Sequence, residues 1–288
     1  MYDYCLMFVE TEISRLEISF SEIEMEADPF NCGAYGEVHH AKWHEEEVVL
    51  KVIKLIRDKD REAAKNEYTL THRLHHFNVI ELFGITHVTQ RQLGIVMEKA
   101  THGSLDRWIG KLRVASMKKI ASGIVDGLKY VHSEHVIHRD IKPQNILMFG
   151  PEDDMIPKIA DFGVSKIIDT VRKTHTRERG TFLYWAPEVQ YGMKYGFSAD
   201  IYSLATVLFE IFDKQLICNA SDEVMNAFLR SDRKLPMNSK VPTYLRDVIQ
   251  RGWHVTPEER PSLSEYHSVL QGLIFLSLQN NHCKHVVN

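Results

Sequence analysis

The hydrophobic pattern of this chain changes period about a third of the way along, and that change constrains the fold more than any other feature of the sequence. Up to about Met97 the apolar residues fall in short runs parted by turns: a glycine-bearing stretch at Asn31–Val38, the β-branched run Val48–Ile56 and the run Leu93–Met97. Runs of this kind suit strands, so a small sheet is expected there. Between the last two runs, Ala63, Ala64, Glu67, Leu70 and Leu74 suit a helix over Arg61–Leu74 that packs on the sheet. From Ser104 onward the period is helical: Met117, Ile120, Ala121, Ile124, Leu128 and Val131 recur at three and four residues and predict one long buried helix. Asp200–Phe212, Tyr244–Trp253 and Leu263–Leu278 read as further helices. The expected fold is α+β and bilobal: a small antiparallel-sheet lobe with one helix, a hinge, and a larger helical lobe, with a cleft between the lobes.

The 288 residues, 44% of them hydrophobic, are enough for one large domain or two small lobes with a filled core. A net charge of -4, with both signs interspersed, leaves no broad basic stripe, so nucleic acid is not the expected partner. Cys5, Cys32, Cys218 and Cys283 are scattered without a C-x-x-C pair, which argues against a zinc site or a disulfide framework and for a reducing compartment. Cys5–Val9 is too short for a secretory leader and Leu273–Leu278 too short to span a bilayer. A cytoplasmic protein without direct membrane insertion is expected.

The chemistry is concentrated in His138-Arg139-Asp140-Ile141-Lys142-Pro143-Gln144-Asn145, where a carboxylate, a cation and an amide share one short loop. Phosphoryl transfer to a hydroxyl needs an acceptor for the hydroxyl proton, positive charge near the migrating group and a neutral oxygen ligand for magnesium. Asp140, Lys142 and Asn145 can supply these in turn. The whole string resembles the catalytic loop of eukaryotic protein kinases. Asp161-Phe162-Gly163 and Ala186-Pro187-Glu188 follow in the order and spacing of that family. The resemblance makes Asp161, with Asn145, a ligand of the magnesium that bridges the β- and γ-phosphates, with manganese as a substitute.

Upstream, Lys51 in Val48-Val49-Leu50-Lys51 resembles the lysine that pairs with the α- and β-phosphates of ATP. A helix-borne carboxylate should hold it; Glu67 fits the family spacing, with Glu62 as runner-up. Asn31-Cys32-Gly33-Ala34-Tyr35-Gly36-Glu37-Val38 matches the phosphate-covering loop except that Asn31 stands where the family has its first glycine. Asn tolerates left-handed backbone better than other side-chain-bearing residues, so weakened but retained nucleotide binding is expected, with Gly33 and Gly36 nearest the phosphates. By resemblance Met97 is the gatekeeper, Glu98 and Ala100 meet adenine through their backbone, and Val38, Val49 and Leu147 sandwich the purine. A core role for those three is equally compatible.

Asp200 resembles the aspartate that braces the catalytic loop, and Glu188 with Arg260 the buried ion pair of the large lobe. Lys142 is the serine/threonine form of the loop, whereas Trp253, Pro257, Arg260 and Pro261 resemble the ending shared by tyrosine kinases and the tyrosine-kinase-like group. Together they imply a tyrosine-kinase-like serine/threonine kinase acting on protein substrates, with dual specificity open. The motifs delimit a kinase domain at 24–275: a small lobe 24–97, a hinge 98–101 and a large lobe 102–275, flanked by an extension 1–23 and a tail 276–288. A pseudokinase that binds partners without turnover is the rival of another class, resting on Asn31 and on the polar Thr71. For control, Arg139 is expected to receive a phosphate from the loop between Gly163 and Ala186, which offers Ser165, Thr170, Thr174, Thr176 and Thr181. The mid-loop Thr174 and Thr176 are favoured, and Thr181 least, since it resembles the threonine that bonds the catalytic Asp and Lys.

Overall fold

The computed structural model describes residues 16–33, 36–55, 68, 72–162, 181–217 and 241–272. They fall into two compact units. The first holds the described residues up to Ala100 together with Phe162, and the second holds Thr101–Asp161 and those from Thr181 onward.

The first unit is an antiparallel sheet of β1 (Ile23–Met25), β2 (Asn31–Gly33), β3 (Gly36–Trp43), β4 (Glu46–Lys54), β5 (Leu82–Thr89) and β6 (Gln92–Glu98). The strand order is β1-β3-β4-β6-β5, with β2 paired to β3. The run expected from Val48 is β4, buried on both faces from Val48 to Ile53, which is why it reads as an apolar stretch without alternation, broken only by Lys51. The register sets its two faces. Val38 lies opposite Lys51, Val49 opposite Met97 and Lys51 opposite Ile95, and cross-strand partners share a face. Val38, Val49, Lys51, Ile95 and Met97 therefore line one side. Val48, Leu50 and Val52 alternate to the other, where they pack with Ile23, Ala41 and Val96. Of the helix expected at 61–74, Tyr68 and His72 are helical, Arg73 is an exposed turn residue and Leu74 is buried; the other residues lie outside those described.

The second unit is built on α1 (Val114–Ser133), the long helix the periodicity predicts; Met117, Ile120, Ala121, Ile124, Leu128 and Val131 are all buried. A hairpin of β7 (Ile146–Phe149) and β8 (Ile156–Ile159) follows, then the short α2 (Pro187–Gln190), α3 (Phe197–Asp213) and α4 (Thr243–Gly252). Residues 263–272 form a further helix. α3 is buried almost all round, its sequence mostly apolar and its polar Asp200, Ser203, Thr206 and Glu210 buried with the rest. Its interior hydroxyls are satisfied: Ser203 donates to Tyr184 O at 2.7 Å and Thr206 to Tyr202 O one turn back. Trp253, at the end of α4, is fully packed and donates its indole N–H to Thr206 Oγ1 at 3.0 Å.

Candidate active site

The loop that precedes β7 is held from α3. Asp200, fully buried in the first turn of that helix, accepts hydrogen bonds from the backbone N–H of His138 (2.8 Å) and of Arg139 (2.8 Å), and it meets His132 Nε2 at 2.8 Å. Buried amides need partners, and Arg139 turns the chain through φ +73°, so no regular ladder could have served these two. The carboxylate takes the place of one. This is the bracing expected of Asp200.

His138 ties the loop to the hairpin. The Asp140 N–H donates to His138 Nδ1 at 3.2 Å, so the ring proton sits on Nε2 and is donated to Ala160 O at 2.9 Å. Complete burial holds this imidazole neutral, pushing its pKa below the ordinary histidine value. Sequence reading assigned no role to His138 or to His132. The signal was the apolar Val136-Ile137 before His138, which places a polar ring where only a satisfied one can stay.

Asp140, Lys142 and Asn145 come together. Lys142 Nζ lies 2.9 Å from Asp140 Oδ2, and Asn145 Nδ2 donates to the same oxygen at 2.9 Å and to Asp140 O at 2.7 Å. All three are buried. Because Asn145 makes both bonds through its amide nitrogen, its Oδ1 faces away from Asp140 as an acceptor for a hard cation. The hairpin register then brings the second metal-ligand candidate to the same end. Ile146 pairs with Ile159, the Ala160 N–H donates to Asn145 O at 2.9 Å, and Asp161 is the next residue. Asp161 has φ +64°, an uncommon backbone for a non-glycine residue and one that gathers at functional sites. Leu147 lies on β7 and bridges to Ser104.

Lys51 is buried on β4, on the face it shares with Val38, Val49 and Met97. Glu98, at the end of β6, is pinned to Glu81: its N–H donates to Glu81 O and its carboxylate accepts from Glu81 N–H at 2.8 Å. Ala100 follows as a half-buried residue just past β6. Glu67, Glu62, Thr71, Gly163, Ala34, Tyr35 and the acceptors Ser165, Thr170, Thr174 and Thr176 lie outside the described residues. So does the side chain of Thr181. Arg139 places its guanidinium 5.6 Å from the centre of the Tyr195 ring.

Asn31 does not adopt the left-handed backbone expected of it. Asn31 lies in β2 opposite Val38, in a paired strand and outside the set of positive-φ residues. No left-handed backbone needs to be tolerated there, so the Asn-for-Gly exchange carries no strain. The glycine that the loop requires is Gly36, at φ +127°, where a Cβ would sit 2.0 Å from Val52 O.

Two further features support the site from below. Glu188 and Arg260 form a bidentate pair, Nη1 to Oε1 at 2.6 Å and Nη2 to Oε2 at 2.8 Å, both buried. Glu210, unread in the sequence, is wholly buried in α3 and accepts from Tyr184 Oη at 2.8 Å and from Ile217 N–H at 2.8 Å. These donors favour the carboxylate, but loss of water outweighs them and raises its pKa from 4.5 to about 8. The folded chain then keeps a proton that the unfolded chain releases between these values. The stability so contributed is full below pH 4.5 and is lost as pH rises through about 8. A neutral amide has no such loss. Thermal unfolding of Glu210→Gln should therefore gain on the parent from pH 6 to about 8 and level off above it, and a difference that does not change with pH would show that Glu210 keeps one protonation state.

An antiparallel sheet unit bearing a buried lysine, a helical unit bearing a braced Asp-Lys-Asn loop, and an Asp-Phe-Gly just past the hairpin define a protein kinase. The chain belongs to that family: residues 31–271 match the protein kinase domain. It is 31% identical over 266 residues to a probable serine/threonine-protein kinase of Dictyostelium discoideum, covering 89% of this chain and 28% of that one. It is 30% identical over 271 residues to a serine/threonine-protein kinase of Arabidopsis thaliana, covering 90% and 46%. A serine/threonine/tyrosine-protein kinase of the same plant is 28% identical over 255 residues, covering 84% and 64%. The chain thus spans less than half the length of the first two. Relatives of these kinds agree with the tyrosine-kinase-like resemblance.

Proposed function

We propose that this chain is an active protein kinase that transfers the γ-phosphate of ATP to serine or threonine hydroxyls of protein substrates, in cytoplasmic signalling. The observation that carries the reading is the buried convergence of Lys142 and Asn145 on Asp140. Asp140 is the acceptor for the hydroxyl proton, its carboxylate oriented by both neighbours. Lys142 supplies charge beside the migrating phosphoryl group. Lys51 binds the α- and β-phosphates, with Glu67 as its partner, and Gly33 and Gly36 let the backbone approach them. Met97, Glu98, Ala100, Val38, Val49 and Leu147 receive the adenine.

Asn145 and Asp161 would hold magnesium, which when bound neutralises charge on the β- and γ-phosphates. The donor set fits: one amide oxygen and one carboxylate suit an ion that keeps water and substrate oxygens in its shell. No cluster of three or more His, Cys, Asp or Glu among the described residues offers a cage for a metal, and magnesium in this role does not need one. No helix among the described residues is long and apolar enough to cross a membrane. The pseudokinase reading loses its main support with the strain at Asn31, since Lys51, Asp140, Asn145 and Asp161 are all present. Incubation with radiolabelled ATP, magnesium and a mixed peptide library, followed by phosphoamino-acid analysis, tests the proposal. Phosphoserine and phosphothreonine are expected. Labelled nucleotide bound without any transfer would establish the pseudokinase instead, and phosphotyrosine beside the other two would establish dual specificity.

A further inference from the structure

Residues 16–20 precede the span that matches the kinase family, yet they are built into the sheet of the first unit. The Ile18 N–H donates to Ile85 O at 2.8 Å and Glu17 bridges Ile85 in parallel, on the side of β5 left free by its pairing with β6. The chain then crosses the face of the sheet to β1 at the opposite edge, turning through the short 3₁₀ segment Phe20–Glu22. On the way Ile18 and Phe20 pack against the cluster of Ile23, Ala41, Val48, Leu50, Val52 and Val96. Strand β5 leaves room for them. A Cβ at Gly84 would lie 2.4 Å from Ile18 Cδ1 and 2.7 Å from Leu16 O. Two ion pairs, Glu17 with His87 at 3.5 Å and Glu22 with His44 at 3.1 Å, are half-exposed and add little.

We propose that the β5 edge and the adjoining face of the sheet form a binding groove for an extended apolar segment, and that the chain's own residues 16–20 occupy it as a strap. The recognition is strand addition at an edge, with backbone hydrogen bonding at Ile85 and side-chain burial of Ile18 and Phe20. The choice of occupant follows from the segment seated there and from Gly84, whose missing side chain is the space that Ile18 takes. The strap also has a consequence for the nucleotide face. Leu50 and Val52 flank Lys51, and Val96 precedes Met97, so the strap packs on the back of the two strands that carry the lysine and the gatekeeper. Those strands lose the cover that Ile18 and Phe20 give their back face if the strap leaves.

The test uses the full chain in three forms: the parent, Ile18→Asp with Phe20→Asp, and Gly84→Val, together with a labelled peptide of residues 16–26. None of its readouts depends on phosphate transfer, so it stands or falls apart from the proposed activity. In the parent, the Ile18 amide should exchange with deuterium at least about tenfold more slowly than in the free peptide, and the peptide should not bind. In the double variant the unfolding midpoint should drop by roughly 5 °C or more, and the peptide should bind and restore it. In Gly84→Val the amide should lose protection while the peptide stays unbound, because the added side chain fills the groove. That third form also decides the matter if the double variant does not fold. Unprotected Ile18 in the parent, or peptide binding by Gly84→Val, would overturn the groove. A parent that dimerises through this segment and is made monomeric by Ile18→Asp would overturn occupancy by the chain itself.

Discussion

Asp140→Asn should lower the rate of phosphate transfer by about 10²–10⁴ at saturating ATP and peptide while leaving the KM for ATP within about twofold. The carboxylate Oδ2 accepts from Asn145 and meets Lys142, so its lone pairs are directed by two fixed neighbours, and its backbone is fixed in turn through His138 and Asp200. Asparagine matches it in shape. It can keep one acceptor toward Asn145 or Lys142, but it cannot take a proton from a hydroxyl, and its amide N–H₂ would repel one of the donors now gathered there. The loss is therefore confined to the step in which the proton moves. Nucleotide affinity, set by Lys51, the glycine loop and the adenine contacts in the proposed arrangement, should hardly change. Steady-state kinetics beside equilibrium binding of a non-hydrolysable ATP analogue separates the two effects. Parental turnover by Asp140→Asn would remove Asp140 as the proton acceptor, and a parallel fall in analogue binding would recast it as a structural residue.

The sequence carried the long elements and the loop chemistry well, and the reasons are physical. Helix α1 is legible because its buried positions repeat at helical spacing from Met117 to Val131, and β4 because the buried run Val48–Ile53 is apolar apart from Lys51. Strand β5 left no comparable trace. Gly84 and two irregularities in its register, at Leu82/Gly84 and His87/Thr89, interrupt the alternation that would have marked it. The four-residue strands β7 and β8 are too short for a period to emerge, although their hairpin sets Asn145 beside Ala160 and so next to Asp161. The backbone at Asn31 is not legible from a glycine position in a motif, because the strand pairing of β2 with β3 decides it. Glu210 escaped notice because a single acidic residue in an apolar helix resembles a solvated edge, and only burial distinguishes the two.

Arg260→Ala is expected to remove about 3 to 5 kcal/mol of folding stability, the range for breaking a buried ion pair from one side. The guanidinium has more than one anchor: besides the two bonds to Glu188 it donates through Nη1 to Ser198 O at 2.8 Å and through Nε to His254 O at 2.9 Å, and it stands over the Tyr202 ring. It thereby joins α2, the start of α3 and the chain just after α4. Truncation leaves the Glu188 carboxylate buried with no cation beside it, and that exposure of an unpaired charge to a low dielectric dominates the loss. The partner change should therefore be strongly non-additive. Glu188→Gln placed on Arg260→Ala should recover part of the stability, because the orphaned charge is gone, whereas two independent contacts would simply sum. Against a total stability of roughly 5 to 15 kcal/mol, the single change puts much of the protein within reach of unfolding. Urea unfolding of the parent, both single variants and the pair gives the cycle directly. A loss below about 1 kcal/mol for Arg260→Ala, the level of an exposed pair, would show that water reaches Glu188 and that this pair does not hold the helices together.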